Sequence, residues 1–189
     1  MVQWTYEDFS SYRSRTIPWF SPSSPVRLPS PPGGRKVVDK RFLDTLAGPF
    51  QDIHVDTIAK ELDYEGELSV VIGRDVKNLK PGENPLDYVL GYTVGNDVSA
   101  RYWQWPKMSG SQHGYAKSFD NFGPIGPVIA SKSVIPDPET LSLKTWVNGD
   151  LRQESNTNDL IFGISRIIEF LSQGMTLRKG TVIMTGTPK

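Results

Sequence analysis

Hydrophobic and polar positions alternate with a period of two from Leu62 to Ile72, in the stretch LDYEGELSVVI. Tyr64, Leu68, Val70 and Ile72 fall on one face of an extended chain and Glu65, Glu67 and Ser69 on the other, so the pattern predicts a strand over these residues. Alternate residues of a strand lie about 6.5 to 7 Å apart, close enough for the two glutamates to converge on one object and to repel each other when nothing positive lies between them. A cation between the carboxylates relieves that repulsion. A half-exposed strand with a solvated outer face produces the same alternation.

Downstream, RDVKNLKPGENP reads as a turn and LDYVLGYTVGNDVSAR as a short helical turn passing into a strand from Gly91 to Asp97. The chain is then loop-rich until Val128. LSLKTWVNGDLRQES predicts a hairpin turning at Asn148-Gly149, because the favoured two-residue turn needs residues that accept a positive φ. Leu160, Ile161, Ile164, Ile167, Ile168 and Leu171 recur at helical spacing and predict the main helix, with Asn158 as its cap and Gly174 as its stop. TVIMTGT forms a last strand, Thr181 to Thr185, entering a turn at Gly186. Upstream, the Pro and Ser density from Ile17 to Gly34 excludes a helix or central strand and predicts an extended arm or linker. KRFLDTLAG allows a short helix stopped at Gly48-Pro49. The expected division is an N-terminal arm and Pro/Ser-rich linker over 1–60 and a folded domain over 61–189, of the α+β class and mostly β.

Composition narrows the chemistry. The 189 residues are 37% hydrophobic, enough for one core, and 21 basic residues balance 21 acidic ones. Neither a nucleic-acid footprint nor a polybasic membrane patch is expected, which leaves a small molecule as the partner. Without cysteine there is no disulfide, thiolate ligand or thiol nucleophile, so a metal has to be held by oxygen or imidazole. No apolar run approaches the ~18 residues of a membrane span, and the N-terminus lacks the apolar core of a secretory signal. A soluble cytoplasmic protein is expected; SSYRSRTIPWF also has the basic, Ser-rich character of a mitochondrial transit segment, although Glu7 and Asp8 precede it.

Five stretches, DYEGELSVVIG, LGYTVGNDVSAR, KSFDNFGPIGP, VNGDLRQESNT and SQGMTLRKGTVIMTGTP, closely resemble in order and spacing the C-terminal catalytic domain of the fumarylacetoacetate hydrolase family, over about residues 61 to 188. The resemblance implies a mixed, mostly β roll or distorted barrel with one main helix, usually as a homodimer. It also implies that Glu65, Glu67 and Asp97 bind one divalent cation. Three carboxylates suit a hard ion, Mg2+ first, with Mn2+ or Ca2+ as substitutes. Arg101 and Gln104 in SARYWQ match positions that face substrate, Lys117 in AKSFD matches the active-site lysine, and Thr187 in TGTP matches a threonine that contacts substrate. An arginine fork suits a carboxylate. Each has an ordinary reading as well: a surface ion pair for Arg101, a solvated group for Lys117 and a plain turn for Thr187. Asp120 and Asn121 read as loop-shaping residues, and Trp103, Trp105 and Trp146 as core or dimer surface.

The family's upstream segment of the GxNYxxHxxE type, whose histidine and glutamate activate water, finds no match here; His54 in QDIHVDT lies in different surroundings. His113, on the loop before Lys117, is the candidate replacement base. The sequence stops at TGTPK where relatives continue, so the end of the catalytic domain is expected to be incomplete. The expected function is hydrolytic C–C cleavage of a small β-diketo or 2-oxo acid such as an acylpyruvate. The alternatives are decarboxylation or keto–enol tautomerisation of oxaloacetate, which need no activated water, and a metal- and ligand-binding homologue with impaired catalysis.

Overall fold

The computed structural model describes residues 2–3, 43–110 and 112–188. The arm expected over 17–34 and the transit-like stretch lie outside these residues. The strands are β1 (Val2–Gln3), β2 (Leu46–Ala47), β3 (Leu62–Asp63), β4 (Gly66–Ile72), β5 (Val89–Asn96), β6 (Ser99–Ala100), β7 (Gly123–Ser131), β8 (Ser142–Val147), β9 (Asp150–Asn156) and β10 (Val182–Met184). Two α-helices are described, α1 (Pro106–Ser109) and α2 (Ile164–Leu171). The main sheet runs β10-β4-β5-β7-β2, antiparallel except for the β2–β7 pair, and curls into a half-barrel. A second sheet, β1-β8-β9, and the small β3-β6 pair flank it. The mostly β character read from the sequence is the observed one.

β4 lies inside the main sheet, paired with β5 on one side and β10 on the other, and all seven of its residues are buried. Leu68, Val70 and Ile72 point with Tyr92 and Ile183 into a cluster closed by Ile164 and Ile168 of α2. Each such side chain, removed from water, contributes roughly 1.5–3 kcal/mol. The opposite face of the same strand carries Glu67 and Ser69, which face Gly95 and Thr93 of β5 across the ladder.

Several expectations change in detail. The strand expected over 62–72 is broken, because Tyr64 and Glu65 belong to neither β3 nor β4. There Asn96 Oδ1 accepts the Glu65 N–H (2.9 Å) and Glu65 O accepts from Asp97 N (2.9 Å), so a side chain and a corner replace the ladder. KRFLDTLAG is not a helix where it is described: Leu43–Thr45 form a 3-10 turn and Leu46–Ala47 pair with β7, while residues 40–42 lie outside the described part. β7 begins at Gly123, five residues before the expected Val128. The β5–β7 register shifts between Tyr92 and Val94, and this irregularity admits Pro127 into the strand.

The main helix starts at Ile164 rather than near Leu160, and Asn158 does not cap it. Asn156 instead accepts from Asn158 N at the head of a separate 3-10 turn, Thr157–Asp159. Gly163 separates that turn from α2, whose first N–H is taken by Glu139 Oε1 at 2.9 Å. Ile161, placed on the helix by periodicity, is instead 90% exposed. Gly174 stops the segment with φ 73° as expected. The hairpin forms as read: Asn148 and Gly149 both have positive φ, 54° and 88°, which joins β8 to β9 with the twist that two strands require.

Candidate active site

Glu67 lies near the start of β4, Glu65 at the corner preceding it, and Asp97 just beyond the end of β5. One carboxylate oxygen from each lies within 4.8 Å of those of the other two. The N-D pair of the sequence divides the work. Asn96, itself buried, grips the Glu65 backbone, and Asp97 supplies the carboxylate. The broken strand therefore keeps both glutamates on the same object, although only Glu67 is placed there by alternation.

Two cations close on the acids. Lys117 Nζ donates to Glu65 Oε2 and, at 2.6 Å, to Asp97 Oδ2. Arg101 donates from Nη2 to Glu65 Oε1 (2.8 Å), from Nε to Asp63 Oδ2 (3.0 Å) and from Nη1 to Gln104 Oε1 (2.8 Å). Burial disfavours the Arg101 charge, but the hydrogen bonds to Asp63 and Glu65 outweigh it and hold the pKa above the ordinary arginine value. Arg101 and Gln104 sit on one 3-10 turn, Arg101–Gln104, and Lys117 on another, Tyr115–Lys117. Edge-to-face and tilted ring contacts run from Trp103 through Tyr115 and Phe119 to the fully buried Phe122, with centroids 5.0 to 5.3 Å apart. This aromatic row fastens the two turns to each other and so sets Lys117 opposite Arg101 across Glu65.

Glu67 is 3% exposed and accepts a hydrogen bond from Gly186 N at 2.8 Å. Burial raises its pKa from 4.5 to about 7; the Gly186 N–H opposes this, and Asp97 and Glu65 add to it. Three carboxylates against two cations, one of which is shared with Asp63, leave the cluster with excess negative charge. Two oxygens bound to one ion at 2.0–2.6 Å lie up to about 4–5 Å apart, so the observed spacing and the all-oxygen donor set fit a hard divalent cation.

Of the other residues singled out by sequence, Thr187 lies beside the cluster, donating to Gly66 O at 3.0 Å. His113 is exposed, and no histidine joins the acidic group among the described residues; His54 is exposed as well. Trp105 is 57% exposed, while Trp103 and Trp146 are half-buried. Sequence reasoning missed Asp63, Ser99 and Gln153. Ser99 Oγ donates to Asp97 O at 3.0 Å, and Gln153 contacts Gly66 and Thr187. A polar residue at the centre of a hairpin strand was the one signal available for Gln153. Among the described residues, no helix is long and apolar enough to cross a membrane.

The chain is 43% identical over 152 residues to an oxaloacetate tautomerase of Xenopus laevis, named as mitochondrial, covering 80% of this chain and 47% of that protein. It is 39% identical over 163 residues to a mitochondrial oxaloacetate tautomerase of Rattus norvegicus, covering 86% and 50%. Thus it spans about half the length of the curated relatives it matches. Among solved structures, a 5-carboxymethyl-2-hydroxymuconate delta-isomerase from Mycobacterium smegmatis superposes with a TM-score of 0.70 at 42% identity, over 77% of this chain and 55% of that one. A fumarylacetoacetate hydrolase from Exiguobacterium antarcticum does so with a TM-score of 0.70 at 41% identity, over 77% and 51%. Residues 27–189 match the fumarylacetoacetate (FAA) hydrolase C-terminal family, and with the acidic cluster and the curled sheet in place, the chain belongs to that family.

Proposed function

We propose that this chain carries a divalent-cation-dependent active site for keto–enol tautomerisation of a small 2-oxo dicarboxylic acid such as oxaloacetate. The observation that carries the reading is the Lys117 ammonium lodged between Glu65 and Asp97 at the edge of the three-carboxylate cluster. Glu65, Glu67 and Asp97 would hold the ion, Mg2+ with Mn2+ or Ca2+ as substitutes, and when bound it would supply Lewis acidity toward the oxygens of the substrate. Lys117 supports the enol by stabilising negative charge on the carbonyl oxygen and donating a proton to it. The amine that results collects the proton leaving the adjacent carbon, so Lys117 ends as it began and no water is consumed. Arg101, already spread over Asp63, Glu65 and Gln104, is better suited to hold Glu65 than to act as a free fork for a substrate carboxylate. Thr187, bonded to Gly66 between the two glutamates, and Gln104, bonded to Arg101, are the further candidates for substrate contact. The working unit is a homodimer, as the family resemblance implies.

Hydrolytic C–C cleavage requires a base that delivers water, and the described histidines stand outside the cluster. The named activity of the relatives, oxaloacetate tautomerase, favours isomerisation as well. The test follows the enol absorbance of oxaloacetate with MgCl2 and with EDTA, next to pyruvate release from acylpyruvates. Metal-dependent tautomerisation is expected, falling about 10²-fold or more in Lys117→Ala with the fold retained. Efficient acylpyruvate hydrolysis that disappears in His113→Ala would restore the hydrolase reading. Magnesium binding without turnover would mark a binding homologue.

A further inference from the structure

Outside the charged groups, the most tightly connected polar side chain near the site is Gln153 of β9, which is 6% exposed. Its Oε1 accepts the Gly66 N–H at 3.1 Å. Its Nε2 donates to Thr187 Oγ1 at 2.7 Å and to Pro188 O at 2.8 Å. Thr187 Oγ1 in turn donates to Gly66 O at 3.0 Å. The amide is thus used at both ends, and the network fixes which end is which, because a backbone N–H must meet an acceptor and the Pro188 carbonyl must meet a donor.

The position of this network gives it a role. Gly66 is the residue between Glu65 and Glu67, and Thr187 and Pro188 follow Gly186, whose N–H binds Glu67. A side chain on residue 66 would run into Thr145 Oγ1 and Gln153 Oε1, so the glycine of the E-G-E triplet is what lets the β8–β9 hairpin approach the acids so closely. We infer that Gln153 is a positioning residue for the cation site. It fixes the peptide that joins the two glutamates and, through Thr187, the turn that presents the Gly186 N–H to Glu67. This rests on the reading of Glu65, Glu67 and Asp97 as cation ligands. It adds that the hairpin, which contributes none of them, sets their spacing.

Gln153→Glu is close to isosteric; it keeps the acceptor for Gly66 and removes the donor to Thr187 Oγ1 and Pro188 O. Gln153→Met keeps the volume and removes both functions. Arg152→Ala is the control, since Arg152 is exposed and paired with Asp150 on the same strand. Titration calorimetry with MgCl2 alone is expected to show affinity weakened about 10- to 100-fold in the uncharged Gln153→Met variant and unchanged in the control; Gln153→Glu, whose added charge itself attracts the cation, is read by hydrogen exchange. Amide hydrogen exchange of the cation-free protein supplies a readout that needs no metal. The Gly186 amide is expected to lose protection in both variants while the β4–β5 ladder keeps it. Unchanged protection of Gly186 overturns the role of Gln153 whether or not the cation binds. Equal loss of protection throughout β4 and β5 also overturns it, by showing general damage to the sheet. Failure of the wild-type chain to bind magnesium counts against the proposed function instead, and the exchange experiment still decides the role of Gln153.

Discussion

The two faces of β4 are equally buried and serve opposite ends. On one, Leu68, Val70 and Ile72 meet Tyr92, Ile183 and the helix residues Ile164 and Ile168. On the other, Glu67 is buried with its pKa raised to about 7, and Ser69 and Thr93, direct partners across the β4–β5 ladder, bury hydroxyls that find no hydrogen-bond partner among the described residues. The first face removes apolar surface from water and drives folding; the second opposes it. Desolvating a carboxylate to the extent implied at Glu67 costs on the order of 3 kcal/mol above neutral pH, and three buried aliphatic side chains on the other face outweigh that. A charged site at the end of a central strand is tolerable because the reverse face of the same strand holds it in place.

The comparison can be broken or sharpened by substitutions taken in order of expected size. Ile72, fully buried, should lose about 2–5 kcal/mol on Ile72→Ala in chemical denaturation, with magnesium affinity unchanged within twofold. A parallel loss of affinity would show that the faces are not independent. Glu67→Gln should act in the opposite direction. The native pKa of about 7 exceeds the ordinary 4.5, so between these values the folded state binds more protons than the unfolded chain, and the cation-free protein loses stability as pH rises through that window. Glutamine escapes this loss. The variant should equal the wild type near pH 4 and exceed it by on the order of 3 kcal/mol at pH 8 in EDTA, while losing its stabilisation by MgCl2. Gly66→Ala should cost about 1–3 kcal/mol by forcing Thr145 and Gln153 apart from the strand, and it should weaken magnesium binding as well. Ser69→Ala removes an unpartnered buried hydroxyl and should be neutral or stabilising by up to ~1 kcal/mol, read as a small rise in Tm.

What the sequence made legible follows from range. Alternation in SVVI, the Asn148-Gly149 turn and the apolar spacing of Ile164, Ile167, Ile168 and Leu171 are local signals, and the elements formed where they point. Glu65 shows where local reading stops. Alternation put it on the correct side for the wrong reason, since the strand breaks there and Asn96, 31 residues away, redirects the chain. The start of α2 was misread because its cap is Glu139, 25 residues upstream, and nothing in NTNDLIFG reveals that partner. Arg101 was legible as a charged residue near the site, but not as one already shared among Asp63, Glu65 and Gln104. The partner of Gln153 was not legible for the same reason, its contact with Gly66 spanning 87 residues.

The pairing of β10 with β4 bears on how the protein is made. Glu67 receives the Gly186 N–H from 119 residues further along the chain, and Met184 pairs with Ser69 just before it. At roughly 5–20 residues per second of synthesis, on the order of ten seconds separate Glu67 from the residue that supplies its donor, and until then the β10 edge of β4 has no partner. A nascent chain in this state exposes a hydrophobic strand edge, which invites pairing with a neighbour on the same messenger. Chaperone cover, or a second nascent copy close by, would bear most heavily on yield during that interval.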